Sequence, residues 1–495
     1  MDENMQFQNR PVRQRKKRPK WQRVLRKYWP TIRFGIIVLL LLVLIIQTVS
    51  CTIEKISGGK ETSDDDRGES IFGTSDSGSG TEQPQPKPSK AEIDKEAEQL
   101  LKDADFVAAG YDYAKATEML ESFEYYSDYP EMAKRVADYQ QQDAALVPYE
   151  RMDQVTHIFF HSLIADPSRA FDGEYTDDGY NLYMTTIDEF NAILQQMYDR
   201  GFVLVTPYQV AGVQADGSFG YNQIRLPEGK QPFIMSQDDL NYYGYMIGAK
   251  HSYGDDPIFV SKEGDGFAHK IVIGENGYPT CEYMDKDGNI TTGDYDMVPA
   301  LETFIQAHPD FAYQGARGVL GMTGYEGVFG YRTAPKYEAA LGTERYQQEV
   351  EQAKAVAQCL RDHGWVLASH SYGHPAYGEI SADRVGADSQ KWEDTVQPVI
   401  GDVDVILYPH GSDIAGVNKY SSDNAKFNYL YEDGYRYFFN VDSHVYWAQI
   451  GDNYYRGGRR NMDGYRMYHN PEMCDDLFDT ATVFDKARPT PVPSI

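Results

Sequence analysis

Two histidines four residues apart, His370 and His374, stand in the stretch WVLASHSYGHP, directly after the apolar run Trp365 to Ala368. The spacing suits one helical turn, which brings positions i and i+4 to about 5–6 Å at Cβ. Two imidazoles so placed can share one metal ion, whose bonds to nitrogen are about 2.0–2.1 Å. Gly373 and Pro375 suit a tight turn after a strand equally well, and the pair would then be ordinary polar loop residues. Spacing alone leaves both readings open. His157 and His161, in HIFFH, share the spacing but read as strand. There four residues rise about 13 Å, so one ion cannot take both, and the pair reads as one core and one rim histidine. Asp238 and Asp239, in IMSQDDL, are neighbours at a strand end, so their side chains diverge. One can bind a metal while the other stays free as a base. His469, in GYRMYHN, becomes a candidate acid if the fold closes around the metal.

These residues need elements to position them. From about residue 150, strand-like and helix-like stretches alternate. VTHIFFHSLI, FVLVTP, PFIMSQDD, WVLAS, DVILYP and YRYFFNV read as strands; TIDEFNAILQQMYDRG and EVEQAKAVAQCLRDHG read as amphipathic helices with glycine stops. Alternation of this kind predicts parallel strands with crossover helices, as an open sheet or a barrel. In barrels the chemistry sits at the C-terminal strand ends. SQDD, SHSYGH, YPHG and VDSH all fall there. Turn signals KEGDG and DKDGN mark residues 245–300 as a hairpin-rich insertion. Glycines at every third position from Gly315 to Gly330 read as an ordered loop beside the active face, with Arg317 reaching substrate.

The N-terminal part has a different character. Residues 1–33 hold eleven Arg or Lys against Asp2 and Glu3, a net +9 in a chain of net charge −28, which leaves −37 on the rest. So acidic a body is repelled by nucleic acid. Residues 34–50 are almost wholly apolar and approach the roughly 20 residues that cross a bilayer. The basic cluster before them predicts a single-pass anchor with a cytoplasmic tail and an extracellular body. A cleaved signal peptide is disfavoured by the long basic region and the missing A-x-A-like site. Lipid attachment at Cys51 is disfavoured by Thr48. Residues 51–90 are rich in Gly, Ser, Asp and Pro and read as a disordered linker. Residues 91–147 read as a tetratricopeptide-like helical pair broken by Gly110, either a docking module for a protein partner or a stalk packed on the next domain. Cys51, Cys281, Cys359 and Cys474 show no paired metal spacing and leave one disulfide possible. The 39 tyrosines suit sugar binding or strand filling alike.

Over roughly residues 153–475, in order, the chain resembles the polysaccharide deacetylases with a NodB homology domain, carbohydrate esterase family 4. HSYGH fits H-[ST]-x-x-H fully; SQDDL stands where the family has T-F-D-D-G, LYPHG in the R-x-P-[FY] place, and YHN in the late histidine place. The resemblance implies a distorted (β/α) barrel over residues 148–490. It implies Asp238 as base, Asp239, His370 and His374 as metal ligands and His469 as acid. Tyr408, Pro409, His410 and Trp447 would contact substrate. Gln237 and Leu240 replace the usual aromatic and glycine. Leu407 replaces the arginine that orients the base, a charge that Arg460 would supply and a position from which it too would meet substrate. Zinc, cobalt or nickel suits two histidines and a carboxylate. The expected function is a membrane-anchored metal-dependent hydrolase removing N-acetyl groups from a cell-envelope polysaccharide such as peptidoglycan. The alternative is a catalytically inactive sugar-binding protein on the same fold. A glycosidase is disfavoured, because adjacent aspartates cannot flank one glycosidic bond.

Overall fold

Continuous apolar runs bury both faces of a strand, and such strands build parallel sheets under helical cover. Seven strands frame this protein: β1 (Thr156–Phe160), β2 (Gln231–Gln237), β3 (Val319–Met322), β4 (Val366–Ser369), β5 (Val405–Leu407), β6 (Tyr437–Val441) and β7 (Tyr455–Asn461). Each pairs in parallel with the next, and β7 pairs with β1, so the sheet closes as a barrel in sequence order. The expected (β/α) barrel is what the chain forms. The computed structural model describes residues 88–495 except Tyr175, 249–259, Ser443 and Val445. The basic tail, the apolar 34–50 segment, Cys51 and nearly all of the linker lie outside the described residues. Among those described, no helix is long and apolar enough to cross a membrane.

Alternation sorts the strand side chains. Ile234, Val319, Val366, Ala368, Val405, Leu407, Phe439 and Tyr455 share one cluster; Phe160, Met235, Leu320 and Leu367 join another with the covering helices. One such helix, Ile187–Asp199, begins with a capping box between Thr186 and Glu189 and buries Phe190, Ile193, Leu194 and Met197. Each of those side chains contributes roughly 1.5–3 kcal/mol on full burial.

Two strands escape the sequence reading. β3 lies inside the glycine-rich stretch that reads as a loop. Arg317, just before it, is buried and paired with Glu302 at 3.0 and 2.9 Å, at the barrel end away from the strand C-termini, so it does not reach substrate. β7, YRGGRRN, carries three arginines and two glycines and has no apolar pattern. The 245–300 stretch does contain an antiparallel three-stranded sheet, Lys270–Ile273, Pro279–Met284 and Ile290–Gly293. Helices Lys90–Ala109, Tyr113–Glu121 and Pro130–Ala145 share the second cluster with the barrel strands. Tyr111 donates to the Asp310 carbonyl at 2.9 Å, and Gly110 accepts from the Gln314 N–H at 2.7 Å. This segment packs on the barrel. Cys281, Cys359 and Cys474 are free and buried.

Candidate active site

The loops after β2 and β4 converge. His370 follows β4 directly, and its Nδ1 donates to the Leu407 carbonyl at 2.8 Å, so the lone pair sits on Nε2. His374 Nε2 lies 3.2 Å from His370 Nε2. The expected helical turn between them is absent. Ser371 and His374 adopt left-handed backbone, φ 63° and 56°, and this reversal brings the rings together instead. Asp239, also left-handed at φ 58°, aims Oδ2 at both rings, 3.9 Å from His370 Nε2 and 3.7 Å from His374 Nε2. Donors bound tetrahedrally at about 2.0–2.1 Å are separated by roughly 3.3 Å. These three donor atoms lie within 4.8 Å of one another, and one lone-pair tautomer is already set by a backbone carbonyl. The set therefore fits a divalent metal of the zinc class. Burial, outweighing Asp239, pushes the His374 imidazole down to about 4, which keeps it neutral as a ligand must be.

Asp238 faces the same space from another direction. Its Oδ2 is 3.9 Å from His370 Nε2, and both its oxygens are gripped by Arg459, at 2.5 and 2.9 Å. Burial alone would raise this carboxyl, but the Arg459 guanidinium and His370 outweigh it and hold the carboxyl well below its ordinary range. Asp239 is likewise held down, against its burial, by His370 and His374. Asp238 is thus an oriented, ionised carboxylate beside the donor triad. Behind it, Ser236 Oγ bonds His157 Nε2 at 2.9 Å and Arg459 Nη1 at 3.3 Å. His157 is a buried support; His161 is the half-buried rim histidine.

Several sequence expectations give way here. Arg460 does not reach Asp238. It is buried on the other face of β7, bidentate to Asp476 at 2.9 Å. Successive strand residues point oppositely, and Arg459 shares its face with Tyr455 inside the barrel. His469 ends the short helix Gly464–His469, and its Nε2 is held by the carbonyls of Val492 and Pro493 at 3.1 and 3.0 Å. It is committed to the C-terminal segment. Tyr408 is fully buried, accepts from the Tyr420 hydroxyl at 3.1 Å, and offers no surface to substrate; Pro409 is buried too. His410 is exposed, its ring 4.4 Å from that of His374. Trp447 is half-buried with its ring 4.7 Å from the Arg456 guanidinium.

Sequence reasoning misses His161 as a neighbour of the two carboxylates. It follows β1, and its Nδ1 lies 3.0 Å from the Tyr183 carbonyl. Asp463 is raised by burial, opposed by Asn461 and the Arg466 backbone. The one available signal for His161 is its place at a strand C-terminus. Gln237 and Leu240 serve the structure. Gln237 Nε2 bonds both Asp296 oxygens at 3.0 Å, and Leu240 is fully buried.

No family model matches the chain, and no curated protein does. Among solved structures, the chain is similar to the Streptococcus pyogenes deacetylase PplD in complex with acetate, at 12% identity and a TM-score of 0.35, covering 67% of this chain and 98% of that one. It is also similar to the BpsB deacetylase domain from Bordetella bronchiseptica, at 11% identity and a TM-score of 0.29, covering 62% of this chain and 97% of that one.

Proposed function

We propose that this protein is a metal-dependent hydrolase that removes N-acetyl groups from a cell-envelope polysaccharide such as peptidoglycan, anchored by residues 34–50 with its body outside the cell. One observation carries the reading. A two-histidine, one-carboxylate donor set sits beside a second carboxylate that is ionised, oriented by Arg459 and left out of that set.

Asp239, His370 and His374 would hold the metal, zinc first among the candidates. When bound, such an ion supplies Lewis acidity toward a carbonyl and acidifies water. Asp238 takes a proton from the attacking water. Its low basicity is a consequence of Arg459, and its fixed orientation is the return for that. His161, in place of His469, is assigned the proton delivery to the departing amine. Acetate and a free amino sugar result. The test is acetate release by the purified full-length chain from N-acetylated glycans, with and without chelator. Release that chelation abolishes and zinc restores supports the reading. Sugar binding without any release would favour the catalytically inactive receptor.

A further inference from the structure

We propose that Tyr245 and Tyr325, stacked on Tyr243 beside Asp239, form a platform for a pyranose ring of the polymer; this rests on the hydrolase reading above. The Tyr243 ring is nearly parallel to Tyr325, with centroids 5.1 Å apart at 6°, and to Tyr245, 5.9 Å apart at 12°. The Tyr243 hydroxyl donates to Asp239 Oδ1 at 2.5 Å and meets Thr323 Oγ1 at 2.7 Å. The stack therefore starts on a donor of the metal set. Tyr325 and Tyr245 each pack on this central ring: Tyr243 is buried, Tyr325 half-buried and Tyr245 50% exposed.

The two loops that carry these rings are locked to each other. The Asn241 amide donates to the carbonyls of Thr323, at 2.9 Å, and Gly327, and its Oδ1 accepts from the Thr323 N–H at 3.1 Å. Glu326 accepts from the Gly244 N–H at 2.9 Å. Tyr242, left-handed at φ 50°, donates to buried Asp296 at 2.6 Å. The ring faces are thus ordered before a ligand arrives, and binding need not order them.

A pyranose has an apolar C–H face with hydroxyls around its rim. A flat phenol ring matches that pattern, because its face packs on C–H groups while its hydroxyl bonds the rim. A cluster present only for packing would bury its outer member as well, yet Tyr245 keeps half its surface open. The acidic body disfavours polyanions, so the ring recognised is a neutral or N-acetylated sugar. Tyr243 itself orients Asp239 and backs the platform.

The test is calorimetry with the zinc-loaded full-length chain carrying Asp238→Asn, so that the sugar is not consumed. The probes are a β-1,4-linked N-acetylglucosamine tetramer and the N-acetylglucosamine monomer. The parent should bind the tetramer more tightly than the monomer. Tyr245→Ala and Tyr325→Ala should weaken tetramer binding about three- to tenfold. Tyr245→Phe, which keeps the ring face and loses only the rim hydroxyl, should lose less affinity than Tyr245→Ala, and bound zinc should be equal in all. Tetramer affinity unchanged in Tyr245→Ala, or no tetramer binding by the parent, overturns the platform. If Tyr245→Ala lost affinity but the protein without Asp238→Asn released no acetate, the platform would stand and the hydrolase reading would fall. Acetate release with an unchanged KM in a Tyr245→Ala chain that retains Asp238 would do the reverse.

Discussion

β4 and β5 are both entered and left through left-handed backbone, but different residues bear it at the two ends. Before these strands stand Gly364 and Gly401, at φ 91° and 81°; after them stand Ser371, His374 and His410, at 63°, 56° and 55°. Glycine takes this conformation freely, whereas a residue with a Cβ loses roughly 1–2 kcal/mol. At Gly364 a Cβ would meet the Gly315 carbonyl oxygen at 2.5 Å. The same entry end holds the buried Arg317–Glu302 pair, with Trp365 Nε1 donating to Glu302 at 2.7 Å. It is built for stability. At the exit end of β4 the reversal through Ser371 and His374 is what brings the His374 ring to His370, 3.2 Å between their Nε2 atoms.

The comparison breaks first at the donors. His370→Ala or His374→Ala should remove bound zinc and lower acetate release more than about 100-fold, while His157→Ala should keep the metal. Metal analysis of the purified chains decides this, and unchanged zinc in both loop variants would move the site elsewhere. Next is Asp238→Asn, which should retain zinc and lose about 10²–10⁴-fold in rate. His161→Ala should show the same pattern, and His469→Ala should stay near wild type. A rate loss confined to the His469 variant would restore it as the acid.

The two arginines of β7 sharpen the comparison inside the barrel. Breaking either buried pair costs stability, about 3–5 kcal/mol for a fully buried one. Arg459→Lys should in addition lower the rate, because a lysine cannot grip both Asp238 oxygens, whereas Arg460→Lys should change melting without changing the rate. Equal rate losses in both would refute the face assignment. At the entry end, Gly364→Ala should destabilise by roughly 1–3 kcal/mol with turnover intact below melting. The smallest effect belongs to the exit end. His410→Gly sheds strain of roughly 1–2 kcal/mol against an entropic cost of up to about 1 kcal/mol, so melting should hold or rise slightly. A clear fall would show that its contact with His374 holds the loop.

Much of this protein is set by local pattern. Apolar strand runs, helical periodicity and glycine stops made the (β/α) alternation legible, because burial and turn formation act within a few residues. The positions of Asp238, Asp239, His370 and His374 at strand ends were legible for the same reason. What only the tertiary structure decided involves partners far apart in sequence. β7 is a strand although nothing in YRGGRRN predicts one, since Asp238 and Asp476 neutralise arginines that could not otherwise be buried. Whether Arg459 or Arg460 reaches Asp238 turned on a one-residue register, which composition does not encode. His469 was lost to the site when the C-terminal carbonyls claimed it, and His161 came to the site because barrel closure brought β1 beside β2 and β7.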